Sequence, residues 1–217
     1  MKIEILRKIP FKELEESVRK VPLMKKDSRG REIFVYKDAT ISLRTFTYDE
    51  VNPPTFYLIN KNLETQRNLF LSLDKDHKIT PLELDGALEI RNEKGEIWTL
   101  TPPIIEVTER SVRYVPQDGE IDYSEYVNKI KIPLICDGAH RVQVAREYGM
   151  PFIGLSIVGA DPKHPYYAHP NGWDMVKIVD EVPKTKIEKK FYRYEDCYAL
   201  YRDFDVLGCG KPRGVGK

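Results

Sequence analysis

The sequence predicts a mixed α/β fold with a small, mostly parallel sheet flanked by helices. Two short apolar runs, at residues 132–136 and 152–158, have the pattern of strands that are buried on both faces. Between them, apolar residues recur at helical spacing in residues 139–148, and Gly149 and Pro151 mark the end of that helix. These signals predict one strand–helix–strand unit, whose crossover connection we expect to be right-handed.

Local patterns predict the other elements of this fold. The sequence Asn-Glu-Lys-Gly between two β-rich runs is a strong hairpin signal. Gln66 and Arg67 fall on the polar side of a helical pattern and are expected at the surface. The predicted elements are a strand at 1–9, a helix that starts at Pro10, one or two strands in 33–47, a helix at 60–73, a hairpin of Ala87–Arg91 and Glu96–Leu100, a strand at 104–107 and an amphipathic helix at 188–204.

The length of 217 residues favours one domain with an insertion. We expect a single domain over residues 1–207, with an insertion at about 74–130 that includes the β-hairpin. A flexible basic tail is expected at residues 208–217.

Composition indicates a soluble, cytoplasmic protein. Hydrophobic residues make up 41% of the chain and charged residues 32%, and no apolar run approaches the ~20 residues of a membrane helix. Three cysteines without a CxxC pair favour a reduced environment, and the first residues lack the apolar region of a signal peptide. The net charge is +1, so nucleic acid would have to bind a local patch.

Residues 137–141 carry the chemistry of the predicted unit. Asp137 is the expected N-cap of a helix that begins near Ala139. Free N–H groups at a helix start bind anions such as phosphate, and Gly138 permits close approach of the backbone. His140 and Arg141 can donate hydrogen bonds to phosphate oxygens. The alternative is an ordinary capped helix whose His140 and Arg141 face solvent.

The run Asp137-Gly138-Ala139-His140-Arg141, after a strand and at a helix start, resembles the signature of the ParB/sulfiredoxin-like superfamily. Its members carry Gly-Cys-His-Arg in sulfiredoxin, Gly-Glu-Arg-Arg in ParB and Asp-Gly-His-His-Arg in the free serine kinases. The resemblance implies a ParB/sulfiredoxin-like fold, a small mixed sheet with flanking helices. It also implies that Gly138, Ala139, His140 and Arg141 bind nucleotide phosphates.

Differences between this motif and that of each relative indicate which branch of the superfamily the chain resembles most. The reactive cysteine of sulfiredoxin falls on Ala139, and Cys136 lies inside the predicted strand, where a cysteine acts as a small apolar residue. The Glu-Arg pair of the partition proteins falls on Ala139 and His140, which argues against their nucleotide-gated clamp. The free serine kinase pattern fits best, since only the first of its two histidines is missing.

The kinase resemblance implies a catalytic base outside this turn. The free serine kinases carry an acidic general base just before a Val-Asp-Pro-like turn, and Glu50 precedes Val51-Asn52-Pro53 here. Glu50 would therefore deprotonate the acceptor hydroxyl. The alternative is that Glu50 and its neighbour Asp49 are ordinary loop carboxylates.

Further contacts are implied on the C-terminal side. Lys184 and Thr185 resemble a Pro-Lys-Thr-Thr stretch of serine-kinase-like proteins and would contact phosphate or substrate, unless they belong to a solvated linker. The loop that contains Trp173 can close over the substrate or pack as a surface loop. Asp137 would orient His140 or help to hold Mg²⁺. No protein metal-ligand set is predicted from the histidine spacing.

Two functions of different classes stay open on the sequence. One is a nucleotide-dependent phosphotransferase that uses ATP or ADP with Mg²⁺ and phosphorylates a small hydroxyl substrate such as a free amino acid. The other is a ParB-like module associated with DNA, in partition, DNA modification or as a nuclease. Near-neutral charge and the lack of a recognisable helix-turn-helix pattern argue against the second. A nucleotide-binding sensor without catalysis is a third alternative.

Overall fold

The computed structural model describes residues 2–113, 127–195 and 197–209 and has the mixed α/β architecture that the sequence predicts. The strands in the described residues are β1 (Ile3–Pro10), β2 (Thr40–Phe46), β3 (Tyr57–Ile59), β4 (Gly86–Asn92), β5 (Ile97–Leu100), β6 (Ile104–Arg113), β7 (Val127–Asp137), β8 (Phe152–Val158) and β9 (Lys177–Val179). The helices there are α1 (Phe11–Arg19), α2 (Asn60–His77), α3 (Ala139–Tyr148) and α4 (Lys186–Lys189), with 3₁₀ turns at Tyr48–Glu50, Trp173–Met175, Tyr198–Leu200 and Phe204–Leu207.

The central sheet has the strand order β2-β8-β6-β7. Strand β6 pairs in parallel with β8, whereas β2 and β8 are antiparallel, as are β6 and β7. The prediction of a mostly parallel sheet is therefore wrong, and so is the right-handed crossover, because β7 and β8 flank β6 and run in opposite directions. An apolar run on both faces indicates that a strand is buried, but it does not indicate its direction.

The helix of the central unit has its predicted length and a different N-cap. Gly149, with a φ of 63°, closes α3 as expected. The N-cap is Gly138, with a φ of 89°, and not Asp137. The carboxylate of Asp137 instead accepts a hydrogen bond from Nη2 of Arg141 at 2.7 Å. The prediction of Asp137 as N-cap is wrong because its side chain bonds to a side chain on the next turn of the helix.

A second sheet, ordered β1-β4-β5, contains the predicted hairpin. Strands β4 and β5 are antiparallel, and the N–H of Asn92 donates to the carbonyl of Glu96 across the turn. Gly95, with a φ of 79°, takes the left-handed position that the turn requires. Helix α2 packs Leu69 and Leu73 into the same apolar cluster as this sheet. The hairpin is thereby confirmed.

The region after β8 departs from the prediction of an amphipathic helix over residues 188–204. The described residues there contain the end of α4 and short 3₁₀ turns. Tyrosines of this region pack ring against ring with the loop after β8, since the ring of Tyr201 stacks on that of Tyr167 with centroids 3.9 Å apart. Phe191 and Tyr194 are exposed, so the aromatic residues do not share the one buried stripe that an amphipathic helix needs.

Parts of the predicted insertion and tail lie outside the described residues, namely 114–126 and 210–217. At the described end of the chain, the N–H of Thr99 donates to the carbonyl of Gly208 at 2.8 Å, so this end packs against β5. The single domain over residues 1–207 stays a prediction. Among the helices that the structure describes, none combines the length and apolar character needed to cross a membrane.

A buried ion pair joins the C-terminal segment to the central sheet. Glu106 on β6 accepts hydrogen bonds from Nε and Nη2 of Arg202 at 3.2 and 3.1 Å and from the hydroxyl of Tyr36 at 2.7 Å. Arg202 also donates to three backbone carbonyls. These hydrogen bonds offset much of the desolvation cost of burying the charged pair. Burial raises the pKa of the neighbouring Cys136 thiol, as expected for an inert core cysteine.

Candidate functional site

A cavity of about 180 Å³ lies at the start of α3. Its walls come from the turn before α3, from helix α2, from strand β5 and from the C-terminal segment. The lining residues are Gln66, Trp98, Thr99, Leu100, Asp137, Gly138, His140, Arg141 and Cys209. Four predicted site residues thus lie together, and the structure places them beside groups that are distant in sequence.

Arg141 folds back over the turn that precedes its own helix. Its Nη2 donates to Asp137, and its Nη1 donates to the backbone carbonyl of Thr101. A Cβ on Gly138 would lie 2.9 Å from Nη2 of Arg141 and 3.0 Å from Cα of Pro103. Position 138 therefore requires glycine for two reasons, its positive φ and the lack of room for a side chain.

The guanidinium of Arg141 is a fixed, buried cation and not a solvent-facing surface group. A guanidinium has five N–H donors, and the two bonds within the protein leave others for a ligand. The amides of Ala139 and the next two residues have no acceptor within the helix, and they lie at the positive end of its dipole. The arrangement thus favours an anion at the start of α3.

His140 connects the cavity to helix α2. Its Nε2 accepts a hydrogen bond from the backbone N–H of Ile59, the residue before α2, at 3.2 Å. A nitrogen that accepts must carry a lone pair, so the ring is neutral and its proton lies on Nδ1. Nε2 of His140 therefore positions α2 against α3 and is not a donor to phosphate in this arrangement.

Gln66 lines the cavity, contrary to the expectation that it lies on the surface. Its Oε1 is buried, and no hydrogen-bond donor reaches it among the described residues. The next residue, Arg67, makes two 2.9 Å bonds to the carboxylate of Glu147 on α3. These hydrogen bonds lower the pKa of Glu147. The pair holds α2 against α3 beside the cavity.

Cys209 completes one wall of the cavity. Its Sγ lies 3.6 Å from Oγ1 of Thr101. Burial, followed by the negative charge of Asp137, raises the pKa of Cys209 to about 12. The thiol is therefore predominantly protonated at physiological pH, which makes it a poor nucleophile.

Glu50 does not line the cavity. It ends a 3₁₀ turn, where its Oε2 accepts from the N–H of Thr47 at 2.8 Å and its Oε1 accepts from Arg44 at 2.9 Å. Together with Thr47 it forms a capping box, so the carboxylate stabilises its own turn. The structure thus does not bring Glu50 together with Asp137 and Arg141.

Trp173 is buried against the same 3₁₀ turn. Its Nε1 donates to the carbonyls of Tyr48 and Val51 at 2.8 and 2.9 Å. The guanidinium of Arg146 lies 5.8 Å from the centre of its ring. Arg146 is seven residues beyond Ala139, which is roughly 10 Å along α3 from the cavity. In this structure Trp173 supports the loop that carries Glu50.

Lys184 and Thr185 lie on the surface, away from the residues that line the cavity. The hydroxyl of Thr185 accepts a hydrogen bond from the N–H of Glu188 and caps α4. Ala139 begins α3, and its side chain packs against the apolar core. Its predicted contribution to phosphate binding is through its backbone amide.

No group of three or more His, Cys, Asp or Glu side chains in the described part of the chain is placed to hold a metal ion. Asp137 is the single carboxylate among the residues that line the cavity. Mg²⁺ in phosphate sites is usually held by one or two carboxylates, substrate phosphates and water. One carboxylate at the start of α3 fits that pattern.

Sequence reasoning missed Gln66 and Cys209 as residues of the site. A signal for Gln66 was present, because it lies at helical spacing from the buried Leu63, Phe70 and Leu73, and a polar residue on that stripe needs an explanation. Nothing in the local sequence indicates that Cys209 reaches the start of α3.

One comparison with known proteins, a match to a family model, is consistent with this architecture. The family model of the ParB CE domain matches residues 13–178. The chain therefore belongs to the ParB CE domain family. No curated protein and no solved structure matches the chain. The resemblance to the ParB-like superfamily is thus confirmed, while the kinase branch stays a prediction.

Proposed function

We propose that the protein is a nucleotide-dependent phosphotransferase, which uses ATP or ADP with Mg²⁺ to phosphorylate a hydroxyl acceptor such as a free amino acid. The observation that carries the proposal is one cavity that joins a helix N-terminus, a fixed guanidinium and a carboxylate. Phosphoryl transfer depends mainly on positioning and on neutralisation of charge, with a base near the acceptor. These three groups supply those requirements.

The phosphates bind at the start of α3. The first amides of the helix and the remaining donors of Arg141 contact the phosphate oxygens, and Gly138 lets the backbone approach them closely. The cavity, at about 180 Å³, is smaller than the ~300–1,000 Å³ of typical small-molecule sites, so it holds phosphate groups and leaves the nucleoside at its mouth. Mg²⁺ would accompany the nucleotide and would neutralise charge on the transferred group, while Asp137 stays available to take the acceptor proton.

In the proposed step, the hydroxyl oxygen of the acceptor forms a bond to the terminal phosphorus. The bridging P–O bond breaks, and its electron pair leaves with the nucleotide product. The hydroxyl proton passes to a carboxylate. Asp137 is best placed for that role in this arrangement, because its bond to Arg141 uses Oδ2 and leaves Oδ1 for the acceptor. Glu50 would have to leave its capping contacts to act as the base.

The test is transfer of radiolabelled terminal phosphate from ATP or ADP to a panel of hydroxyl acceptors that includes serine. Asp137→Asn and Glu50→Gln are compared with the wild type, and nucleotide affinity is measured by isothermal titration calorimetry. A general base contributes about 10²–10⁴-fold to turnover. We expect a loss of that size in Asp137→Asn and a loss below about tenfold in Glu50→Gln.

The outcomes separate the alternatives. Loss of transfer in Glu50→Gln with retained affinity would assign the base to Glu50 and show that its loop moves. Nucleotide binding without transfer to any acceptor would refute the phosphotransferase and leave the sensor. A wild-type protein that binds neither ATP nor ADP would refute the phosphate site at α3.

A further inference from the structure

A surface segment near the C-terminus combines exposed apolar side chains with positive charge. Of the fifteen exposed large apolar residues among the described residues, seven fall between residues 175 and 198. They are Met175, Ile178, Val182, Ile187, Phe191, Tyr194 and Tyr198. Single exposed apolar residues are normal, but seven of them in one stretch of the chain suggest a surface that a partner covers.

Within this stretch the basic residues cluster between two acidic ends, Asp180 with Glu181 and Glu195 with Asp196. Residues 182–194, which we call the basic aromatic segment, contain five Lys or Arg residues and one acidic residue, a net charge of +4. The whole chain carries +1, so the rest of it carries −3. The carboxylate of Glu188 already accepts from the N–H and hydroxyl of Thr185 at 3.1 and 2.6 Å. An anionic partner would therefore contact the lysines and Arg193 inside the segment and avoid the carboxylates at its two ends.

Backbone hydrogen bonds hold the basic aromatic segment against the body of the protein. The N–H of His169 donates to the carbonyl of Phe191 at 2.9 Å. The N–H of Arg193 donates to the carbonyl of Tyr167 at 2.9 Å. Phe191 and its neighbour Tyr194 thus extend from an anchored main chain, which limits the entropy lost when a ligand binds.

The aromatic rings of the segment are presented to solvent. The side chain of Phe191 is 62% exposed, and its ring lies against that of His169 with centroids 4.9 Å apart. Tyr194 is 53% exposed. Nucleic-acid bases stack on aromatic side chains of this kind, while neighbouring lysines follow the phosphate backbone.

Other partners fit these features less well. Lysine is depleted in protein–protein interfaces, whereas it is the most frequent residue of this segment. An amphipathic helix that buries one apolar face in a membrane surface is not formed here, since α4 has four residues. A duplex shields its bases from stacking, so exposed rings favour a single strand.

We propose that the basic aromatic segment binds single-stranded nucleic acid. The bases stack on Phe191 and Tyr194. The phosphates contact Lys184, Lys186 and Lys189. None of these side chains lines the cavity at α3, so the proposal does not depend on the phosphotransferase.

The test is fluorescence anisotropy with labelled oligothymidylate, the matching oligouridylate and a duplex of equal length. Three phosphate contacts predict that the logarithm of the binding constant falls with the logarithm of salt concentration with a slope of about −2. Joint replacement Lys184→Ser and Lys186→Ser should reduce that slope to about −0.7. Phe191→Ala should weaken binding by about 5- to 150-fold, and Phe191→Tyr should retain it.

The control is the joint replacement Leu71→Ala and Lys75→Ser on α2, which removes one exposed apolar and one exposed cationic side chain outside the segment. It should leave the affinity for oligothymidylate unchanged. Equal effects of the control and the segment variants would overturn the proposal, as would duplex binding at least as tight as single-strand binding. Binding to phosphatidylserine vesicles without binding to either single strand would also overturn it. Nucleotide affinity at the α3 cavity should be the same in Phe191→Ala and the wild type, which keeps the two proposals separable.

Discussion

Replacement of Arg141 by alanine tests whether the cavity at α3 is a phosphate site. The guanidinium is buried and bonds to Asp137 and to the carbonyl of Thr101. The substitution therefore removes two contacts within the protein in addition to the donors that face a ligand. It also leaves the partly buried carboxylate of Asp137 without its cation.

The loss of protein stability and the loss of nucleotide affinity can be estimated separately. A hydrogen bond that involves a charged group contributes about 1.5–3 kcal/mol. Because the Asp137 side chain keeps 21% of its exposure, water compensates part of the loss, and we expect the free energy of unfolding to fall by about 3 kcal/mol in Arg141→Ala. Loss of one charge-assisted bond to phosphate should weaken nucleotide binding by about 1.5–3 kcal/mol, which is roughly 10- to 150-fold.

The assay is isothermal titration calorimetry with ATP and with ADP, at a temperature where circular dichroism shows that both proteins are folded. Arg146→Ala on the same helix is the control, because its guanidinium lies over the rings of Tyr48 and Trp173 and does not line the cavity. The control should change nucleotide affinity less than about twofold. Equal affinities for wild type and folded Arg141→Ala would refute the phosphate site.

Two further predictions concern ion pairs of the fold. Arg202→Met leaves Glu106 buried without a cation, so it should lower the free energy of unfolding, measured in urea, by about 3–5 kcal/mol. Adding Glu106→Gln should recover part of this loss. A loss below about 1 kcal/mol in Arg202→Met would contradict the prediction. The hydrogen bonds from Arg67 lower the pKa of Glu147, so this pair stabilises the fold above the ordinary carboxyl pKa and loses that contribution as pH falls through the lowered folded-state pKa. Unfolding free energies of wild type and Arg67→Met should differ by up to about 1 kcal/mol near pH 7 and converge near pH 3, whereas a constant difference would argue against the linkage.

The elements that the sequence predicts well are those with local causes. The bounds of α3 follow from the apolar spacing of its residues and from Gly149, and the β4–β5 hairpin follows from the turn that contains Gly95. Strand direction in the central sheet has a long-range cause, since β6 inserts between β7 and β8. The prediction of a helix at 188–204 is wrong because some of its aromatic residues stack in the cluster around Tyr201 while others are exposed to solvent.

The cavity has the same long-range character, because α2, β5 and Cys209 meet the turn only in the folded chain. One part of it was nevertheless present in the local sequence. Asp137 ends β7 and Arg141 lies in the first turn of α3, so the short turn at Gly138 keeps an acid and a cation of this motif close to each other. The motif predicts that Arg141 points outward to phosphate, whereas in the structure the turn brings Arg141 back to Asp137.

The two interpretations of Arg141 are complementary. A guanidinium that is fixed by Asp137 and by the carbonyl of Thr101 cannot rearrange freely when an anion enters, so its remaining donors are already oriented. A site of this kind loses little side-chain entropy on binding and stabilises charge without reorganisation, which is the main requirement for phosphoryl transfer. The buried Asp137–Arg141 pair is therefore the structural basis of the proposed phosphate site and not evidence against it.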